Sequence, residues 1–386
     1  MKYSAKSLGR STAVLGLALA SACAGQAQAA DSGTIKIGLI ADLTGNAALS
    51  GHHKVDGAKL AVAQINANGG VNGKKLQLVV QDDRGSNQAG VSAYQKLASD
   101  TEINAIIGSI RSTIVKATLP YISRYKIPTM IGGTDPELTH EGNQWVFRFR
   151  PNDNYASKVM AKYSTNEMQA KKVAILYDTD AFGAAGNRLL QKALKADGAQ
   201  VVTDQGYTTG TKDYTSYLAN IKSSGADTVE TYMTDSEDEG QMLKQFSRMG
   251  LNTQLIGSAS TATAVTIQLA GDAANGKYAV TGFVNDGNDA AKQFSAAYKK
   301  KYNEQADLYA AWVYDAVNVL AKVIGKDGNK TTQIQQGLRH DVKGYQGVVG
   351  TYNFDKNGDG LHGLNVVKID DGQVHVVKYV NFDAKK

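Results

Sequence analysis

The sequence predicts an α/β fold of parallel sheets covered by helices on both faces, and three observations carry that prediction. From Ile35 onward, short apolar runs alternate with amphipathic stretches of about 12 to 18 residues, the periodicity of strand, helix, strand. The opening of a second series, VAILYDTDAFGAAG from Val173, repeats the strand, loop, glycine and helix order of the first, IKIGLIADLTGNAALSG from Ile35. With 42% hydrophobic and 20% charged residues, a chain of 386 residues has the composition of a folded protein and the length of about two domains. Such alternation builds sheets that bury both faces.

Taken in order, the expected strands are apolar runs closed by turn-forming residues. They are Ile35–Asp42, Leu76–Asp82, Ala105–Ser109, Thr129–Gly132, Val173–Tyr177, Gln200–Thr203, Thr228–Met233, Leu255–Ser258 and Tyr278–Phe283. Between them, helices start near His53, Asn87, Thr113, Asn154, Gly183, Asp213, Glu237 and Ala262. Helical stretches at Asp289–Asn303 and Leu308–Gly325 follow with no strand between them, and a strand-rich tail begins at Gly347. All four prolines, Pro120, Pro128, Pro136 and Pro151, fall in one stretch, and the last opens the turn-rich connector that ends the first lobe.

Lys2, Lys6 and Arg10, the apolar run Ala13–Ala20 and the small-x-small site Ala27-Gln28-Ala29 have the layout of a secretory signal peptide, residues 1–29. Export is therefore expected. Lipidation at Cys23 is the weaker alternative, because Ala20 stands where such boxes usually carry Leu. Without that segment the chain keeps 39 basic and 36 acidic residues, a net charge of +3, and no cysteine. Thiol catalysis and a disulfide framework are excluded. Basic residues form no patch with interleaved aromatics, so nucleic acid is not an expected partner.

Enzyme templates fail in turn: GxSxG, HExxH and GxxxxGK[ST] are missing, as is GxGxxG after the first strand. Neither a cofactor nor a metal is expected. Asp355, Asn357, Asp359 and Gly360 begin like a calcium loop, but Val366 stands at its twelfth position, so a hairpin turn is the better reading. What remains are loops at the carboxyl ends of strands, where open α/β sheets place ligands. In Gly108-Ser109-Ile110-Arg111-Ser112-Thr113 and Ile131-Gly132-Gly133-Thr134-Asp135-Pro136, glycines permit close approach to the backbone and Ser112 and Thr134 offer hydroxyls. Structural caps and tight turns are the alternative.

Together, the export signal, ADLTG, DGAKLAVAQINANGG, GGVNGKKL, IIGSIRST, GGTDPELT, FRFRPNDN, YDTDAFGAAG and FDKNGDG resemble the Leu/Ile/Val-binding family. These are periplasmic solute-binding proteins of branched-chain amino-acid ABC transporters. The resemblance implies two doubly wound parallel-sheet lobes joined by a three-crossing hinge, the type I periplasmic binding protein fold. Its lobes would be residues 33–152 plus 283–350, and residues 153–282 plus 351–386. It also implies that Ser112, Gly132, Gly133 and Thr134 hold the ligand's carboxylate and ammonium. Aromatic side chains of the second lobe would cover it, with Phe182 at one such place and Tyr309 at another. Ser50 stands where the family often has an aromatic.

The acid that pairs with the ammonium in Leu-binding members is absent, because the corresponding segment reads Ser258-Ala259-Ser260. Asp235 is the best substitute, unless it only caps the helix that follows, and Arg111 would suit a second carboxylate or an aromatic acid, unless it lies on the surface. By this resemblance the protein captures a branched-chain or other apolar amino acid by hinge closure and delivers it to a membrane ABC permease, without catalysis. The alternatives are an aromatic or aliphatic carboxylate or an amide as ligand, or service as a ligand sensor for a membrane receptor.

Overall fold

The computed structural model describes residues 33–382. The expected signal peptide and Cys23 lie outside them. In the first lobe, β1 (Thr34–Ala41), β2 (Lys75–Asp82), β3 (Ile103–Ile107), β4 (Thr129–Ile131) and β5 (Val146–Arg148) form a parallel sheet in the order β2-β1-β3-β4-β5. The intervening helices are α1 (Ala48–Ala67), α2 (Asn87–Ala98), α3 (Ser112–Tyr125) and α4 (Glu137–His140). Ile35, Ile37 and Leu39 enter one core and Ile40 the other, which is why this strand reads as a continuous apolar run.

The second lobe opens with α5 (Asp153–Asn166). Its strands β6 (Lys172–Asp178), β7 (Gln200–Tyr207), β8 (Thr228–Tyr232), β9 (Gln254–Gly257) and β10 (Tyr278–Thr281) pair in parallel as β7-β6-β8-β9-β10, the same order as the first. Between them run α6 (Ala181–Ala196), α7 (Thr215–Ser223), α8 (Ser236–Arg248) and α9 (Ala264–Ala270). The chain then returns to the first lobe as α10 (Asp289–Tyr302), α11 (Leu308–Asp327), α12 (Thr331–His340), β11 (Tyr345–Gln346) and β12 (Thr351–Tyr352). There α11 lies so close to α1 that a Cβ on Gly57 would stand 2.2 Å from the Ala310 carbonyl oxygen. Finally β13 (Gly363–Asp370) joins β10 antiparallel, and β14 (Gln373–Asn381) closes that edge.

The nine strands expected from sequence are present with ends shifted by a few residues. Three short elements, α4, β5 and α12, are additional, and two further features differ. Tyr352, Phe354 and Leu361 pack in the first lobe's core beside Phe147 and Phe149, so the last return to the second lobe comes at β13 rather than at residue 351. The Asp355–Gly360 turn is also not a simple hairpin. Its Gly358 carbonyl accepts from the Arg148 amide, and Asp359 receives Arg148 Nε at 2.8 Å, Asn152 Nδ2 at 2.6 Å and the Thr139 hydroxyl at 2.8 Å. The turn is thereby stitched to β5 beside the hinge. The three crossings lie close together: a Cβ on Gly282 would lie 3.1 Å from Pro151, and both residues line one small cavity with Leu364 at the start of β13.

Burial works to raise the pKa of Asp359, but the Arg148 charge and hydrogen bonds from His140, Arg148 and Thr139 hold it far below the ordinary carboxylate range. Asp359→Ala would leave Arg148 buried without a carboxylate, and we expect a loss of about 3–5 kcal/mol in urea unfolding at pH 7. A depressed folded pKa contributes stability above the unfolded value and loses it as pH falls through the folded one. The gap between variant and wild type should therefore narrow below about pH 4.

Candidate functional site

In each sheet the strand order reverses beside the first strand, between β1 and β3 in one lobe and between β6 and β8 in the other. Open α/β sheets bind ligands outside the carboxyl ends at such a point. Here the loops from both points face one another across a single cleft. It is lined by Asp42, Ser50, Ile110, Arg111, Leu308 and Tyr309 from the first lobe, by Phe182, Met233, Asp235 and Ser260 from the second, and by Arg150 at the first crossing.

At its centre Arg111, just ahead of α3, donates from Nε to Asp42 Oδ2 at 2.6 Å and from Nη2 to Asp235 at 2.8 Å. Arg111 is only 6% exposed, so it is no surface residue. Asp235 stands at the N-cap of α8, yet its carboxylate caps nothing there; it accepts instead from Arg111 and from Asn46 Nδ2 at 3.0 Å. Burial would raise the pKa of Asp42, but Arg111 and a hydrogen bond with Asp83 bring it below the usual value. The two residues proposed separately for a ligand's opposite charges are thus engaged with each other.

Lys54 of α1 is buried beneath this pair and donates to the carbonyl oxygens of Ile40 and of Gly108, the ends of β1 and β3. Its pKa is lowered to about 8 by burial, against the attraction of Asp83 and Asp42. Opposite it the second lobe presents carboxylates. Glu237 accepts from the Ser50 amide at 3.2 Å and hydroxyl at 3.1 Å, Asp238 from Asn46 at 3.0 Å, and Asp180 from Thr113 at 3.3 Å. Burial, followed by the charge of Asp235, lifts Glu237 to about 7 and Asp238 to about 6.

Of the residues anticipated from sequence, Ser50, Arg111, Phe182, Asp235 and Tyr309 line this cleft, and Thr134 lines the cavity next to it, which shares Phe182 and Arg150. Ser112, Gly132 and Gly133 line neither cavity. The Ser112 hydroxyl accepts from the Thr134 and Asp135 amides at 3.2 and 3.3 Å and so holds the loop after β4 in place. A Cβ on Gly132 would come within 2.9 Å of the Trp312 ring, and one on Gly133 within 2.8 Å of Leu138, so core packing already favours glycine there. Tyr309 comes from the first lobe rather than the second, and its hydroxyl meets that of Ser236 across the cleft at 2.8 Å.

Sequence reasoning missed Asp42, Lys54, Arg150 and Glu237. The run Ser236-Glu237-Asp238-Glu239 at a helix start carried a signal, since three acids in a first turn are more than capping requires.

A family model described as periplasmic binding protein matches residues 34–373. The chain belongs to this family. It is 28% identical to the leucine-, isoleucine-, valine-, threonine-, and alanine-binding protein of Pseudomonas aeruginosa over 93% of this chain and 94% of the relative. It is 30% identical to the Leu/Ile/Val-binding protein homolog 3 of Brucella melitensis over 88% of this chain and 92% of the relative. A solved structure of the branched-chain amino acid transporter substrate binding protein LivJ of Streptococcus pneumoniae, in complex with isoleucine, is 25% identical. It superposes with a TM-score of 0.84 over 90% of this chain and 99% of that one. Among the described residues no helix is long and apolar enough to cross a membrane.

The buried acids fix the sign of one pH effect. A carboxyl whose folded pKa is raised stabilises the fold below its unfolded value and loses that contribution as pH rises through the folded one. For Glu237 the window runs from about 4.3 up to about 7. The melting temperature should fall between pH 5 and pH 8, and Glu237→Gln should flatten that decline in thermal melts.

Proposed function

We propose that the protein is the periplasmic substrate-binding component of an ABC importer, which captures an apolar amino acid between its lobes and hands it to a membrane permease. The observation that carries this reading is the cleft. It joins the two strand-order reversals and combines an apolar wall of Ile110, Leu308, Phe182 and Met233 with hydroxyls and charges from both lobes. Its relatives, named for the amino acids they bind, support the ligand class, and no chemical step is assigned to the site. Capture requires only that the cross-lobe contacts of Arg111, Asn46, Ser50 and Tyr309 open and re-form as the crossings bend.

One observation favours a second reading, a carboxylate that lacks an ammonium. Ser258-Ala259-Ser260 offers no acid, and Asp235 is already held by Arg111. Leaving a ligand ammonium buried without a partner would cost about 2–5 kcal/mol.

Calorimetric titration of the purified protein with leucine and with 4-methylpentanoate, its counterpart without the amine, separates the two. On the first reading leucine binds more tightly and Asp235→Asn weakens it about a hundredfold; tighter binding of 4-methylpentanoate, unchanged in that variant, selects the second. In either case Phe182→Ala should weaken the preferred ligand by about ten- to a hundredfold, the loss expected for uncovering an aromatic contact.

A further inference from the structure

Two arginines stand two residues apart where the chain leaves β5, and the structure treats them differently. Arg148 is fully partnered by Asp359, by the carbonyl oxygens of Gly133 and Pro136 and by Thr139. Arg150 is also buried, at 9% exposure, but its Nη1 donates only to the Gly132 carbonyl oxygen, at 3.0 Å, and its Nε has no hydrogen-bond partner. Among the described residues no carboxylate forms an ion pair with it. The nearest influence of that kind is Asp153, whose two oxygens are taken by Thr134 at 3.0 Å and Tyr232 at 3.1 Å.

An unpaired guanidinium is costly to bury, and Arg cannot shed its charge as Lys can. The other cations of the cleft are already committed: Arg111 to two carboxylates, Lys54 to two strand-end carbonyls. Arg150 borders both the central cleft and the adjoining cavity, whose walls include Thr134, Phe182 and Tyr232. The edge of a guanidinium that includes Nε can take a carboxylate through two parallel N–H···O bonds.

Building on the capture reading above, we infer that Arg150 is the anchor for the ligand's carboxylate, received on its Nε edge between the two lobes, with Phe182 against the apolar body. The solute is then defined by a required carboxylate and an apolar remainder. Arg111 serves instead as a bridge between the lobes that forms on closure.

Calorimetry on the purified protein tests this with matched pairs, leucine with leucinamide, 4-methylpentanoate with 4-methylpentanamide, and benzoate with benzamide. The wild type should bind at least one carboxylate a hundredfold or more tightly than its amide. Arg150→Met should lose at least a hundredfold for that carboxylate and less than threefold for the amide, and Arg150→Lys should fall between. Circular dichroism and melting temperature report whether each variant is folded, and the wild-type carboxylate-to-amide ratio tests the assignment without any variant.

A folded Arg150→Met protein that binds the carboxylate as the wild type does would overturn the assignment. So would wild-type binding that favours the amides, although the capture function would then stand. If the wild type binds no member of a broad panel of small solutes, the capture reading and the assignment of Arg150 fall together.

Discussion

The ion triad Asp42–Arg111–Asp235 constrains everything around it. One guanidinium sits between carboxylates from two lobes, and neither acid can move without leaving a charge unpaired in a place with little water. Around the triad the first lobe supplies donors, Asn46, Ser50 and Thr113, and the second supplies acceptors, Asp180, Glu237 and Asp238. The two faces are therefore largely complementary in hydrogen bonding. Such complementarity sets how the lobes register when they meet more than how tightly they hold.

The duplicated strand order explains why a site of this chemistry forms where it does. Each sheet alone offers a modest crevice at its reversal. Joined by crossings that leave the sheets on neighbouring strands, the two crevices confront each other, so residues far apart in sequence become partners; Arg111 and Asp235 are separated by 124 positions.

That separation also marks what could be read from the sequence. Local signals were strong. Strand positions follow from apolar runs because both faces of each sheet are covered, and loops rich in Gly, Ser and Thr after β3 and β4 are visible as strand ends. The short β5 escapes because three residues between aromatic and basic neighbours carry no usable period. Likewise α12 has only Ile334 and Leu338 to mark its buried face among polar neighbours. Within the site, Arg111 and Asp235 were visible as individuals, but their pairing was not, since no local pattern encodes a contact across a cleft. The packing need for Gly132 was hidden for the same reason: Trp312 belongs to a helix that returns from the other end of the chain. Arg148 and Arg150 in VFRFR were the clearest missed signal. Alternation puts both on one side of an extended segment, where a charge has to find a partner.

The bare backbone of Gly282 against Pro151, with Leu364 beside them, has a mechanical consequence. Chain segments that cross side by side behave as a single flexure, like the bound spine of a book: they can bend together, but they resist sliding past one another. Relative movement of the lobes is thereby reduced to about one rotational coordinate, and every point of the cleft opens in fixed proportion to its distance from that line. Arg150, adjoining Pro151, lies almost on the axis, where displacement is smallest, whereas Arg111 and the acids facing it swing through a wider arc.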